Sequence, residues 1–61
     1  MKIIEILKWE KSQVAVALVY ADASTDLSTK LGELTLSKGS LAYLADGTVY
    51  VLGSTWAKVG E

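Results

Sequence analysis

The strongest local signal in the chain is Asp46-Gly47, which separates two short apolar runs within residues 41–52. The first run carries leucine and tyrosine, and the second carries two valines, a threonine and a tyrosine. Aromatic and β-branched side chains favour extended strands. Asp-Gly supplies the two positive-φ positions that a type I′ turn requires, so the sequence predicts a β-hairpin with a two-residue loop. This loop length sets the register of the two strands, and it would place Tyr43 opposite Tyr50.

Both faces of this predicted hairpin are apolar. In the expected register, paired residues share a face, because side chains alternate along a strand. One face would then carry Leu41, Leu52, Tyr43, Tyr50, Ala45 and Thr48, and the other Ala42, Val51, Leu44 and Val49. A hairpin without a polar face must cover both sides, either with the rest of the chain or with another molecule.

The N-terminal part of the chain predicts a second pair of strands. Residues 2–9 mix isoleucine and leucine with charged side chains, and a polar break of hairpin length follows at residues 10–13. The next run, residues 14–21, is apolar at every position; a helix is the alternative there, but its three valines and one tyrosine favour a strand. A strand that is apolar on both faces is expected between two layers of structure.

The middle of the chain, residues 22–38, is polar and predicts a loop. Asp26 or Ser24 could cap one short helical turn through Leu31, with Gly32 ending it. Short strands are expected at residues 33–36 and 56–59. The prediction is therefore a single, mainly β domain over residues 1–61. It would form a small all-β sheet or barrel of about five strands, with the Asp-Gly hairpin and one short helical turn in the middle loop.

Length and composition predict that the chain gains stability by association. A domain of 61 residues buries about 60% of its unfolded surface and is marginal when it folds alone. Cysteine and histidine are absent, so neither a disulfide nor an ordinary zinc site is expected to reinforce it. Apolar residues make up 51% of the chain and charged residues 21%, although a small domain needs much polar surface. Self-association or docking is the remaining way to add stability.

The same residues argue against several classes of function. Without histidine or cysteine the chain has no imidazole base and no thiolate nucleophile, so we expect no enzyme and no cofactor. Asp22 and Asp26 are interpreted as a helix cap and solvated loop, since they lack the density of a calcium loop. The net charge of −1, with six lysines and no arginine, argues against nucleic acid. No apolar run reaches the ~20 residues that span a membrane, and no signal peptide is evident.

The hairpin between Gly39 and Gly53, followed by Trp56, forms a pattern that resembles short structural proteins of tailed bacteriophages. The resemblance covers roughly the last twenty-five residues and rests on Gly39 and Ser40, Ala42 and Tyr43, Asp46 and Gly47, Val49 and Tyr50, Leu52 and Gly53, and finally Trp56. It implies a virion-associated structural protein, in which the hairpin aromatics act in packing or contact and no catalytic residue is carried over. Thr55 directly before the tryptophan, and the lack of a Gly-rich stalk, depart from a fibre-tip pattern.

The resulting hypothesis is a structural or assembly protein of a phage particle, most simply a capsid decoration protein, assembled in the host cytoplasm. Its partners would be copies of itself, with a trimer favoured, or a larger capsid or tail protein. The predicted interface residues are Tyr20, Leu41, Tyr43, Tyr50, Val51, Leu52 and Trp56. The alternative is a monomeric small β adaptor or inhibitor that binds a protein partner.

Overall fold

The computed structural model describes residues 1–60 and shows a mainly β fold. In that range the chain forms one mixed, open sheet of seven strands and a single 3-10 turn. The elements are β1 (Lys2–Lys11), β2 (Val14–Ala21), the 3-10 turn (Ser24–Asp26), β3 (Lys30–Leu31), β4 (Leu34–Leu36), β5 (Leu41–Leu44), β6 (Val49–Leu52) and β7 (Trp56–Lys58). The predicted fold class is therefore confirmed.

Strand β2 is the centre of the sheet. One of its edges pairs with β1 in antiparallel orientation over most of its length. Its other edge pairs in parallel with two strands, first β4 near Val14 and then β5 from Leu18 onward. Antiparallel strands extend the sheet from there, with β3 beside β4, and β6 and β7 beyond β5. Because β2 is apolar at every position, it tolerates this central place.

One face of the sheet holds a small hydrophobic core. Alternate residues of β2 are buried there, and they meet Leu36, Leu44 and Leu52 from the later strands. Side chains from both ends of the sheet, Ile6 of β1 and Trp56 of β7, pack against the same cluster, so the sheet curls around it. The radius of gyration is 10.5 Å, which is the value of about 10.5 Å expected for a compact domain of this length.

A four-residue connection between β4 and β5 is held by a buried hydroxyl group. The side chain of Ser40 is fully buried, and its Oγ accepts a hydrogen bond of 3.1 Å from the backbone N–H of Ala17. The same hydroxyl donates a hydrogen bond of 2.7 Å to the carbonyl of Ser37. Ala17 lies where the edge of β2 passes from β4 to β5, so Ser40 occupies the gap in the backbone ladder.

Strand β1 is irregular. Its register with β2 shifts three times, between Ile3 and Glu5, between Ile6 and Lys8, and between Trp9 and Lys11. Ten residues of β1 therefore lie along seven residues of β2. Each shift is a β-bulge, in which an extra residue leaves the pairing and increases the local twist.

The hairpin register predicted from Asp46-Gly47 is wrong by one residue. Tyr43 pairs with Val49, not with Tyr50. The loop contains three residues, because the N–H of Gly47 donates to the carbonyl of Leu44 at 2.9 Å and Gly47 alone in the loop has a positive φ, +91°. A turn of this kind followed by a left-handed glycine is the usual three-residue hairpin loop.

The slip in register changes the predicted faces. Tyr50 pairs with Ala42, and the N–H of Leu52 donates to the carbonyl of Ser40, so Tyr50 and Leu52 lie on the core side. Leu41 and Tyr43 lie on the opposite side, together with Val49 and Val51, which the prediction had placed on the other face of the hairpin. A shift of one residue moves every side chain of one strand to the other face, because side chains alternate with period two.

Two further predictions need correction. Within residues 1–60 the sheet has seven strands, not about five. The short strand predicted at residues 56–59 is present as β7, whereas β3 lies in the segment that was predicted as a helical turn. The helical turn ends at Asp26, and its N-cap residue, Ala23, makes no capping side-chain bond. Leu31 belongs to β3 and Gly32 to the β3–β4 turn, because the segment pairs with β4 rather than continuing as a helix.

Candidate interaction surface

The side of the sheet opposite the core is apolar and lacks a covering layer among residues 1–60. It is formed by side chains of three adjacent strands that alternate with the buried ones. We call this set the outer face: Val14, Val16, Leu18 and Tyr20 of β2, Leu41 and Tyr43 of β5, and Val49 and Val51 of β6. Each of these side chains is half-buried or exposed, and Tyr20 and Tyr43 are 38% and 40% exposed.

The outer face is continuous across the sheet. The strand register aligns Leu18 with Leu41 and Leu41 with Val51 in one row. A second row aligns Tyr20 with Tyr43 and Tyr43 with Val49 in the same way. Neighbouring side chains in such rows are in contact distance, so the face forms one patch rather than scattered apolar residues. Contiguous apolar patches of this kind mark interaction sites on soluble proteins.

Side-chain size is distributed in an unusual way between the two faces. The core side of β2 carries three alanines and one valine, whereas its outer side carries valine, leucine and tyrosine. Strand β5 repeats the pattern, with Ala42 buried and Tyr43 exposed. Among residues 1–60, no fully buried side chain is larger than valine. Much of the apolar area of the central strands therefore faces away from the core.

Charged residues border this face along β1. The register places Lys2 beside Tyr20, Glu5 beside Leu18 and Lys8 beside Val16. Lys11 continues the series beside Val14 at the end of the strand. An apolar centre with a charged rim is the usual anatomy of a protein–protein interface.

The structure divides the seven predicted interface residues into two groups. Tyr20, Leu41, Tyr43 and Val51 lie together on the outer face. Tyr50, Leu52 and Trp56 lie on the core side, where Leu52 is buried and the two aromatic rings pack against the cluster. The indole N–H of Trp56 is buried and finds no acceptor within residues 1–60.

Sequence reasoning missed three exposed apolar residues of β1. Ile4, Leu7 and Trp9 are each close to half exposed or more. The signal that could have revealed them is the spacing of the charges, since Lys2, Glu5, Lys8 and Lys11 repeat every three residues. That period fits neither a regular strand nor a helix, and it coincides with the three bulges.

Within residues 1–60 there is no enclosed pocket, no cluster of metal-ligating side chains, and no helix long and apolar enough to cross a membrane. Among the described residues, Asp46 is the titratable group with a shifted pKa: hydrogen bonds from the side chain and the backbone N–H of Thr48 hold the pKa of its carboxyl below the ordinary 3.8. The hydrogen bonds from Thr48 to this carboxyl stabilise the hairpin turn.

Comparison of the chain with models of protein families, with curated proteins and with solved structures finds no match in any of the three.

Proposed function

We propose that this chain is a structural assembly protein that acts by burying its outer face against a neighbouring protein subunit. The observation that carries the proposal is the inverted distribution of side chains in β2 and β5. Alanines fill the core side, while the larger apolar side chains, including Tyr20 and Tyr43, lie on the uncovered side. A docked subunit supplies the second layer that a two-faced apolar sheet requires.

Burial is the physical basis of this function. Each Å² of apolar surface removed from water contributes about 25 cal/mol, and an interface of ordinary size covers about 800 Å² per partner. The chain exposes 3,891 Å² in total, so such an interface covers about a fifth of its surface. For a domain whose core contains four alanines among eight buried apolar residues, this gain is large relative to what the isolated fold provides.

The resemblance of the hairpin to short phage structural proteins suggests where such a module would work. On that basis we propose a virion component, most simply one that decorates a capsid, associating with its own copies or with a larger shell protein. The resemblance concerns residues of both faces, and Tyr43 and Val49 are the two of its residues that also belong to the outer face.

Substitution of outer-face residues by aspartate tests the proposal. Tyr43→Asp and Val51→Asp should each abolish association through the outer face and lower the particle mass, because a buried carboxylate at the centre of an apolar contact loses its hydration. Light scattering over a dilution series gives the mass. Ser54→Asp, in the exposed β6–β7 turn, is the control with the same change in charge. An unchanged particle mass in both outer-face variants would contradict the assignment of this surface.

A second function is favoured by the solvent-accessible surface area of the folded chain. The exposed surface of 3,891 Å² is close to the value of about 3,800 Å² expected for a self-contained monomer of 6.5 kDa. A monomeric adaptor or inhibitor would use the same outer face to bind a different protein. A folded monomer at every concentration in the dilution series would make this the preferred function.

A further inference from the structure

The outer edge of β1 is a second surface, separate from the outer face. Within residues 1–60, β1 pairs with β2 alone, so its other edge presents backbone N–H and C=O groups without a strand partner. Three of the most exposed large apolar side chains of the chain lie on this strand: Ile4 at 53%, Leu7 at 48% and Trp9 at 57%. An edge strand with exposed apolar side chains is a template for strand pairing.

The bulges of β1 restrict what can pair with it. Seven residues of β2 span about 20 Å, and the ten residues of β1 lie along the same length. The rise along β1 is therefore about 2.2 Å per residue, compared with about 3.3 Å in a regular strand. A regular strand loses register with such an edge after a few residues. A second β1, with the same three-residue period, matches it throughout.

We infer that β1 pairs with β1 of a second copy in antiparallel orientation, which joins two sheets into one. One register combines the exposed side chains with suitable partners. Ile4 lies opposite Trp9 of the second copy, and Leu7 opposite Ile6. Glu5 lies opposite Lys8 of the second copy, and two-fold symmetry produces each of these pairs twice.

Neighbouring registers are less favourable. A shift of one residue in one direction places Ile4 opposite Glu10 of the second copy, and a shift in the other direction places it opposite Lys8. Both shifts also separate Glu5 from Lys8. Cross-strand pairs of an aromatic with a β-branched residue, and of opposite charges, stabilise antiparallel strands, so the first register is selected. The less favourable pairs of the chosen register, Ile3 with Glu10 and the like-charged Lys2 with Lys11, lie toward the two ends of the paired segment.

This pairing does not depend on the proposed function of the outer face, although the two fit together. The two-fold axis of an antiparallel edge pair stands perpendicular to the joined sheet. Both outer faces then lie on the same side, and the apolar area available to a third protein doubles. Self-association through β1 and docking through the outer face can therefore be tested separately.

The test is a charge exchange in the Tyr43→Asp background, which removes association through the outer face. Sedimentation equilibrium of the full chain should still detect a dimer. E5K places two lysines opposite each other in each pair, and K8E places two glutamates, so each should weaken dimerisation roughly tenfold. The double variant E5K/K8E restores opposite charges and should return the dissociation constant to within about threefold of the parent.

Matched controls separate the pairing from net charge and from folding. Glu33→Lys and Lys38→Glu make the same charge changes at exposed positions away from β1, and they should leave the dissociation constant unchanged. Lys8 also lies 3.8 Å from Glu10, but this exposed ion pair contributes little to stability, so thermal melts of the monomers should coincide.

The outcomes distinguish this inference from the proposed function. Recovery in the double variant supports the β1 pair and its register. The inference is overturned if the dissociation constant of the dimer is the same in all three charge variants. It is also overturned if the single variants raise the dissociation constant and the double variant does not restore it. Loss of every association in the Tyr43→Asp background, with an associating wild-type chain, also overturns it and leaves the outer-face proposal intact. Unchanged association in that background, combined with recovery in the double variant, supports the β1 pair and contradicts self-association through the outer face.

Discussion

The buried hydroxyl of Ser40 leads to a prediction about stability that a single substitution can test. Ser40→Ala removes the acceptor of the Ala17 N–H and leaves that donor buried in the centre of the sheet. An unpaired buried donor costs about 1–3 kcal/mol, and the hydrogen bond to Ser37 is lost as well. The carbonyl of Ser37 keeps the N–H of Ser40 as a donor, so we expect a total loss of about 2 kcal/mol.

This loss is large for a chain of 61 residues. Domains have about 0.05–0.15 kcal/mol of stability per residue, which corresponds to about 3–9 kcal/mol here. The melting temperature should fall by about 8–16 °C, since 1 kcal/mol shifts it by about 4–8 °C at this size. The assay is urea denaturation at neutral pH, followed by circular dichroism at one fixed protein concentration, because association also contributes to apparent stability.

Ser37→Ala is the matched control. Ser37 lies in the same connection and is half-buried, but within residues 1–60 its hydroxyl makes no hydrogen bond, so a loss of only a few tenths of a kcal/mol is expected. If Ser40→Ala and Ser37→Ala unfold at the same urea concentration, the hydroxyl of Ser40 does not hold the junction between β4 and β5, and the reasoning fails.

Three further predictions concern the turns. Gln13 has a φ of +62°, so Gln13→Gly should raise the free energy of unfolding by about 0.5–1 kcal/mol, and a lower urea midpoint would contradict this. Gly47→Ala should lower the free energy of unfolding by about 1–2 kcal/mol, because Gly47 has a positive φ. Gly53→Ala should change the urea midpoint little, because Gly53 has an ordinary φ and ordinary contacts. Equal effects of the two substitutions would refute the three-residue loop. The depressed pKa of Asp46 means that its stabilisation is present above about pH 4 and is lost as the pH falls through the folded value. Asp46→Asn keeps an acceptor for the Thr48 N–H without titrating, so its stability should fall less than that of the wild type in acid melts, and parallel pH profiles would count against this.

Local signals predicted a considerable part of the fold. The β class, the limits of β2 at Val14 and Ala21, and the position of the turn at Asp46-Gly47 all follow from residue preferences within a few positions. The alternation in β2 also separated its two sets of side chains correctly. Which of the two sets faces the core could not be predicted, because both are apolar.

The candidate surface was only partly predictable for the same reason. The outer face depends on the pairing of β2 with β5, two strands far apart in the sequence, and on the register of the hairpin. A two-residue and a three-residue loop at Asp46-Gly47 differ in whether Asp46 adopts a positive φ. This small local difference decides whether Tyr50 and Leu52 face the core or the outer side.

By itself the sequence determined that this protein is a mainly β domain with a high share of apolar residues for its size, since these properties add up residue by residue. The tertiary structure decided where that surface lies. The collinear β4 and β5 beside β2, the three bulges of β1 and the place of Ser40 each arise from pairing between distant segments. Such pairing is selected by the burial and hydrogen bonding of the whole sheet, which no local stretch of residues encodes.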